Sequence, residues 1–241
     1  MQDNALDPGT VRVRWVSLAL SGAADQERWQ AVLDSQELAR AQRFRFAVDR
    51  HAYVAAHALA RSMIAEVAGT TPAAVRFAAG PDGKPRLAAA LAQCRVQFNV
   101  SRSRAHVACG VTLTDELGVD VENEDHAEAM ALAERYFAPT EVEMMRQAAP
   151  DRRGLLFASL WTLKEAFVKA TGEGLRRSLA DFSFTLDPIA IRFHGASQTA
   201  GRDWQFAQLR LGHEQVIAIA VRRPTEQPIV LDAKEIDPCQ F

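Results

Sequence analysis

Residues 151–174 read DRRGLLFASLWTLKEAFVKATGEG and hold the clearest helix in the chain. Leu156, Leu160, Leu163, Phe167 and Ala170 recur at three- and four-residue steps, the spacing of one buried helix face. The pattern predicts a helix over Asp151–Thr171 that Gly172 and Gly174 bring to an end. Glu165 stands opposite the apolar stripe, with Trp161 and Lys169 four residues to either side of it. A solvated Glu–Lys pair at that spacing is ordinary and worth only about 0.2–0.5 kcal/mol. A Trp beside it is less ordinary, because a fully solvated face rarely needs one.

DFSFTL, IAIRFHG, WQFAQLRLG and QVIAIAVRR follow this helix and read as antiparallel strands. Before it lies helical sequence with breaks near Pro139 and Pro150. Further back come three predicted strands, Val96–Val100, His106–Thr114 and Gly118–Glu122, joined by short polar hairpin-like connections. Val75–Ala79 reads as a short strand entering the turn Pro81-Asp82-Gly83. Asp49 is the expected N-cap of a long helix ending at Ala68, with Gly69 as its stop and an Ala-rich face for close packing. Residues 25–47 read as helical and finish in the basic-aromatic stretch RAQRFRF; Val11–Leu20 reads as a strand. Each half therefore offers helices plus a strand-rich segment. The expectation is an α+β fold of two similar lobes, each a small antiparallel sheet packed with helices, over residues 1–116 and 117–241.

Composition narrows the function. The 241 residues are 48% hydrophobic and 24% charged, the profile of a globular protein with a substantial core. A formal net charge of -2 gives no global electrostatic case for nucleic acid. Cys94, Cys109 and Cys239 form no CxxC pair, which argues against a disulfide framework or zinc site and for a reducing cytoplasm. The polar start MQDNALDPGT is unlike a secretory signal, and no apolar run nears the roughly 20 residues of a membrane helix. A cytoplasmic protein without membrane or nucleic-acid partners is expected.

Four short constellations could carry chemistry. In Gly118-Val119-Asp120-Val121-Glu122, strand alternation would place Asp120 and Glu122 on one face, where a hard divalent cation would relieve their repulsion; solvated acids at a strand edge are the plainer explanation. Glu165 and Lys169 share the polar helix face described above. Phe98-Asn99-Val100-Ser101-Arg102-Ser103 is a strand end whose hydroxyls, free N–H groups and Arg suit a phosphate, or else a routine hairpin turn. In Gly83-Lys84-Pro85 the Lys meets either a phosphate or solvent.

Taken together and in order, RAQRFRFAVDR, GKP, FNVSRS, GVDVE, RYFAPTE and WTLKEAFVKATGEGL resemble the Sfp-type 4′-phosphopantetheinyl transferase family over roughly residues 36–175. GVDVE and WTLKEAFVKATGEGL at this separation are the specific parts. The resemblance implies two pseudo-twofold lobes with coenzyme A bound between them, the N-terminal lobe binding coenzyme A and the C-terminal one carrying the metal and catalytic residues. It implies a magnesium ion held by Asp120, Glu122 and Glu165, and a catalytic Glu165 that deprotonates the carrier serine directly or through water. Lys169 maps onto a catalytic position that also contacts phosphate, and Arg40, Lys84, Pro85, Asn99, Ser101 and Arg102 onto coenzyme-A-binding positions. The implied reaction moves phosphopantetheine from coenzyme A to a serine of an acyl or peptidyl carrier protein, within a monomer, releasing adenosine 3′,5′-bisphosphate. One departure stands out: the family usually has His where this chain has Arg102, so a permanently charged planar group replaces a titrating one. The rival reading is a non-catalytic module of the same fold that only holds coenzyme A or a carrier. Another magnesium-dependent phosphotransferase would need a motif such as GxxxxGK[ST], which is absent.

Overall fold

A computed structural model describes residues 6–80, 84–123, 128–194, 198–212 and 215–241. Strand β1 (Thr10–Ser17) buries Val11 and Val13, while Arg12 and Arg14 on its other face both bond the Asp232 carboxylate. Asp232 belongs to β11 (Val230–Glu235), which runs parallel to β1. On the opposite edge β1 pairs antiparallel with β5 (His106–Leu113), and β4 (Val96–Arg102) completes the order β11-β1-β5-β4. This sheet is thus mixed rather than antiparallel throughout, because β11 returns to it from beyond residue 228 and runs parallel to β1. Helix α3 (Ala47–Ala68) packs against β4 and β5, joining Leu59, Met63 and Ile64 with Phe98, Val107, Cys109 and Val111 in one core.

Two helices, α1 (Ala23–Val32) and α2 (Ser35–Ala41), occupy the stretch expected to be one. Asp34 divides them: its Oδ1 accepts from the Gln36 and Glu37 amides at 3.0 and 2.9 Å, and Glu37 accepts from the Asp34 amide at 2.9 Å. That reciprocal cap fixes a new helix start. The start of α3 is also three residues earlier than expected. Phe46 is its N-cap and Asp49 lies in the first turn, where a negative charge suits the helix dipole. A small hairpin, β2 (Phe77–Ala79) with β3 (Pro85–Leu87), completes this unit. The expected Pro81-Asp82-Gly83 turn lies outside the described residues.

The chain divides at Asp115. The first unit takes the residues up to there together with Ile229–Phe241, and the second is Glu116–Pro228. The C-terminal segment therefore belongs with β1 and not, as 117–241 would have it, with the second unit. There β6 (Glu116–Asn123), β10 (Gln215–Arg222) and β9 (Trp204–Leu211) form an antiparallel sheet in the order β6-β10-β9. Although β6 follows β5 closely in sequence, the expected hairpin between them does not form, because β6 pairs with β10. Beside this sheet stand the hairpin of β7 (Phe182–Leu186) and β8 (Ile189–Phe193) and helices α4 (Ala129–Tyr136), α5 (Pro139–Gln147) and α6 (Arg153–Thr171).

Helix α6 ends at Gly172, whose φ of 73° is the left-handed turn that favours glycine. It lies along β6 and β10 on a seam of small residues, with Ala166 and Ala170 meeting Gly118, Ala218 and Ala220. At Gly118 the approach is extreme: a Cβ there would sit 1.8 Å from the Ala166 carbonyl oxygen and 2.6 Å from the Ala170 nitrogen. Only glycine permits this contact, and the contact sets how near the carboxylates of β6 stand to α6.

Candidate active site

Gly118, Asp120 and Glu122 follow each other on one face of β6, so the face that packs on α6 continues directly into two carboxylates. Asp120 is 3% exposed, and its Oδ1 accepts a 2.5 Å hydrogen bond from the Lys169 ammonium. The same ammonium reaches the Val119 carbonyl at 3.3 Å. Lys169 is thus pinned to β6, which replaces the bland surface pairing on its own helix.

Burial, then the Asp120 charge, pushes Glu122 up to about 7, with Glu165 adding to the rise and Lys169 opposing it. Glu165 is likewise raised by burial and then by Asp120, again against Lys169. These mutual effects mean that Asp120, Glu122 and Glu165 share one electrostatic neighbourhood with the Lys169 ammonium. Among the described residues no three His, Cys, Asp or Glu side chains are set as a ready-made metal cage. The donor set nonetheless fits a hard divalent cation: carboxylate oxygens only, negative charge in excess of the Lys169 ammonium, and raised proton affinities at Glu122 and Glu165 that such a cation would relieve.

The helix itself is held from behind. Lys164, 0% exposed, spends its three donors on Glu141 at 2.8 Å, the Leu179 carbonyl at 2.7 Å and the Phe182 carbonyl at 2.6 Å. Glu141 also accepts from the Phe184 and Ala138 amides at 2.9 and 3.0 Å. This closed network ties α6 to α5 and β7, one residue away from Glu165. Trp161 is not on a solvated face. It packs on Phe157 at 5.4 Å, Tyr136 at 6.0 Å and Phe137 at 6.2 Å. Neither role follows from helical periodicity: Trp161 reads as a polar-face residue, and the charge of Lys164 hides that its spacing from Leu160 and Phe167 borders the buried stripe.

The other six expected residues lie in the first unit. Along β4 the two-residue alternation separates them: Asn99 and Ser101 are buried on one face, whereas Arg102 shares the face of Phe98 and Val100. The Arg102 guanidinium carbon lies 5.4 Å from the Phe44 ring centroid and 5.8 Å from that of Tyr53. Arg40, at the end of α2, approaches the same Tyr53 ring at 5.9 Å. It also lines a cavity of about 670 Å³ with Gln36, Ala39, Arg43 and Phe44. Ser103 is spent on the turn, accepting from the His106 amide at 3.0 Å. Lys84 is half-buried, with its carbonyl bonded to the Gly80 amide at 3.0 Å, and Pro85 opens β3 at the surface. The two Arg residues are therefore brought together around Tyr53, while Asn99 and Ser101 turn to the other side of the strand.

Comparison with known proteins places these units. Residues 116–220 match the family model described as the 4'-phosphopantetheinyl transferase superfamily, and residues 23–112 match 4'-phosphopantetheinyl transferase, N-terminal. The 4'-phosphopantetheinyl transferase HetI of Nostoc sp. is 33% identical over 192 residues, covering 79% of this chain and 79% of that protein. A 4'-phosphopantetheinyl transferase of Bacillus subtilis is 30% identical over 164 residues, 68% of this chain and 71% of that one. The L-aminoadipate-semialdehyde dehydrogenase-phosphopantetheinyl transferase of Homo sapiens is 24% identical over 239 residues, 91% of this chain and 77% of its own. With both units matched and a relative at this identity aligned over most of its length, the chain belongs to the 4'-phosphopantetheinyl transferase superfamily.

Proposed function

We propose that this protein transfers the 4′-phosphopantetheine group of coenzyme A to a serine hydroxyl of an acyl or peptidyl carrier protein, releasing adenosine 3′,5′-bisphosphate. The observation that carries the site assignment is the shared electrostatic neighbourhood of Asp120, Glu122 and Glu165 against one ammonium, Lys169. Asp120, Glu122 and Glu165 would hold magnesium, which when bound supplies charge neutralisation to the pyrophosphate. Glu165, whose proton affinity is raised by burial, accepts the serine proton directly or through a water. Lys169 offsets negative charge as the phosphate–oxygen bond to the leaving group breaks. Arg40, Arg102 and Lys84 supply cations for the coenzyme's phosphates, and Asn99, Ser101 and Pro85 complete that binding surface.

The reaction is proposed to run in the cytoplasm with one chain as the active unit. No helix among the described residues is long and apolar enough to cross a membrane. The decisive test is intact-protein mass spectrometry of several apo carrier proteins incubated with coenzyme A, magnesium and this protein. The expected result is a mass gain of one phosphopantetheinyl group on at least one carrier, abolished by chelation. No modification of any carrier, with coenzyme A still bound, would overturn the proposal in favour of a holding module.

A further inference from the structure

Arg40 and Arg102 come from different elements, α2 and β4, yet their guanidinium carbons lie 5.9 and 5.8 Å from one ring centroid, that of Tyr53 on α3. Both Arg residues are exposed, and among the described residues neither has a hydrogen bond or ion pair to an acid. Asp49 acts on Arg102 only from beyond ion-pair distance, and the Arg40 charge opposes that of Arg102. Two like charges gathered without a carboxylate are unfavourable until an anion joins them. Their common support is aromatic. The Tyr53 ring is 3% exposed and is fixed by His57 at 4.1 Å and Phe44 at 5.2 Å, with Phe44 also under Arg102. Glu37, the acid acting most strongly on the Tyr53 phenol, is engaged by His57 and Arg61.

We infer that Tyr53 is a positioning residue for substrate phosphate: its ring is the shared seat that gathers Arg40 and Arg102 into one anion site. This rests on the reading of coenzyme A as substrate. The ring quadrupole attracts a guanidinium face without consuming its N–H donors, so the donors stay available for phosphate oxygens. An acid in the same place would hold the two Arg residues but would neutralise the site it organised. The phenol is pushed up to about 12, by burial first and then by Glu37, so the ring stays neutral across the working range.

The test is calorimetric titration of coenzyme A and dephospho-coenzyme A, with magnesium, into the full chain and its variants. Tyr53→Leu is expected to weaken coenzyme A about tenfold, and Tyr53→Phe, which keeps the ring, less than twofold. In an Arg40→Gln/Arg102→Gln background, Tyr53→Leu is expected to cost no further affinity, an outcome that mere core damage would not produce. Phe44→Leu, a milder change to the same seat, is expected to weaken binding about threefold and serves where Tyr53→Leu does not fold. Wild-type protein that binds no coenzyme A would overturn the functional reading. Wild-type binding with Tyr53→Leu or Phe44→Leu unchanged, a Phe variant as weak as Leu, or full additivity with the double Arg variant would overturn the role of Tyr53 alone.

Discussion

Lys169 on α6 donates a 2.5 Å hydrogen bond to Asp120 on β6, so the ammonium occupies the carboxylate that a cation would also seek. The two positive groups therefore compete for the Asp120 carboxylate when substrate is absent, and their mutual repulsion eases once phosphates bring further negative charge. Lys169→Met is accordingly expected to bind magnesium more tightly than the wild type without coenzyme A, yet to transfer phosphopantetheine at least tenfold more slowly. Titration with the metal alone, beside a turnover assay, checks both halves.

Glu165→Gln keeps size and burial but loses the proton-accepting carboxylate. Turnover should fall about a hundredfold or more, in the range of a lost general base. The urea midpoint should hold or rise, because one raised, repelled carboxylate is removed. A variant with full activity on every carrier would remove Glu165 from the mechanism.

Gly118→Ala tests the seam between β6 and α6. The new methyl would meet the Ala166 carbonyl at 1.8 Å, and backbone cannot yield as a side-chain tip can. Destabilisation of about 3 kcal/mol or more is expected from overpacking, read as a lowered midpoint in urea. Any folded remainder should show impaired turnover, since the strand carrying Asp120 must move away from the helix carrying Glu165.

Lys164→Met should cost about 3–5 kcal/mol, because it leaves the Glu141 carboxylate buried without its cation. Chemical denaturation measures it. Loss of less than 1 kcal/mol would show that the Phe184 and Ala138 amides alone satisfy Glu141.

Acid stability should depend on Glu37. Burial alone would raise its pKa, but hydrogen bonds from His57 and Arg61 overcome that and bring it down from 4.5 to about 2. A folded value below the unfolded one means stabilisation that is full above about 4.5 and lost as pH falls towards 2. About 3 kcal/mol is at stake by that linkage. Glu37→Gln should flatten the fall in stability between those pH values, measured by urea unfolding at each.

Much of this architecture was legible because local pattern and tertiary outcome agree. The stripe through Leu160, Leu163 and Phe167 is buried as its spacing requires, and Gly172 ends the helix in the left-handed region. Where partners lie far apart in sequence, local pattern failed. VLDAKE is not among the expected strands, since only the distant pairing of Thr10 with Val230 makes it one. The hairpin expected between His106–Thr114 and Gly118–Glu122 failed for the same reason, the true partner of β6 being almost a hundred residues on. At the site, strand alternation placed Asp120 with Glu122, but the buried pair of Lys164 with Glu141 and the gathering of Arg40 and Arg102 around Tyr53 depend on three-dimensional neighbours.

The parallel pairing of β1 with β11 also sets an order of events during synthesis. Thr10 emerges from the ribosome well before its partner Val230, with the whole of the second unit made between them. Until then the outer edge of β1 has no strand to receive it, and an open edge is a template for pairing with other chains. The second unit, Glu116–Pro228, is continuous and has all its own strands by Pro228. It can therefore fold while the chain is still tethered, whereas the unit that starts first finishes last. A chain stalled or cut before Ile229 would accordingly leave the second unit intact and the first one unsealed, which marks Ile229–Phe241 as the segment without which products become aggregation-prone.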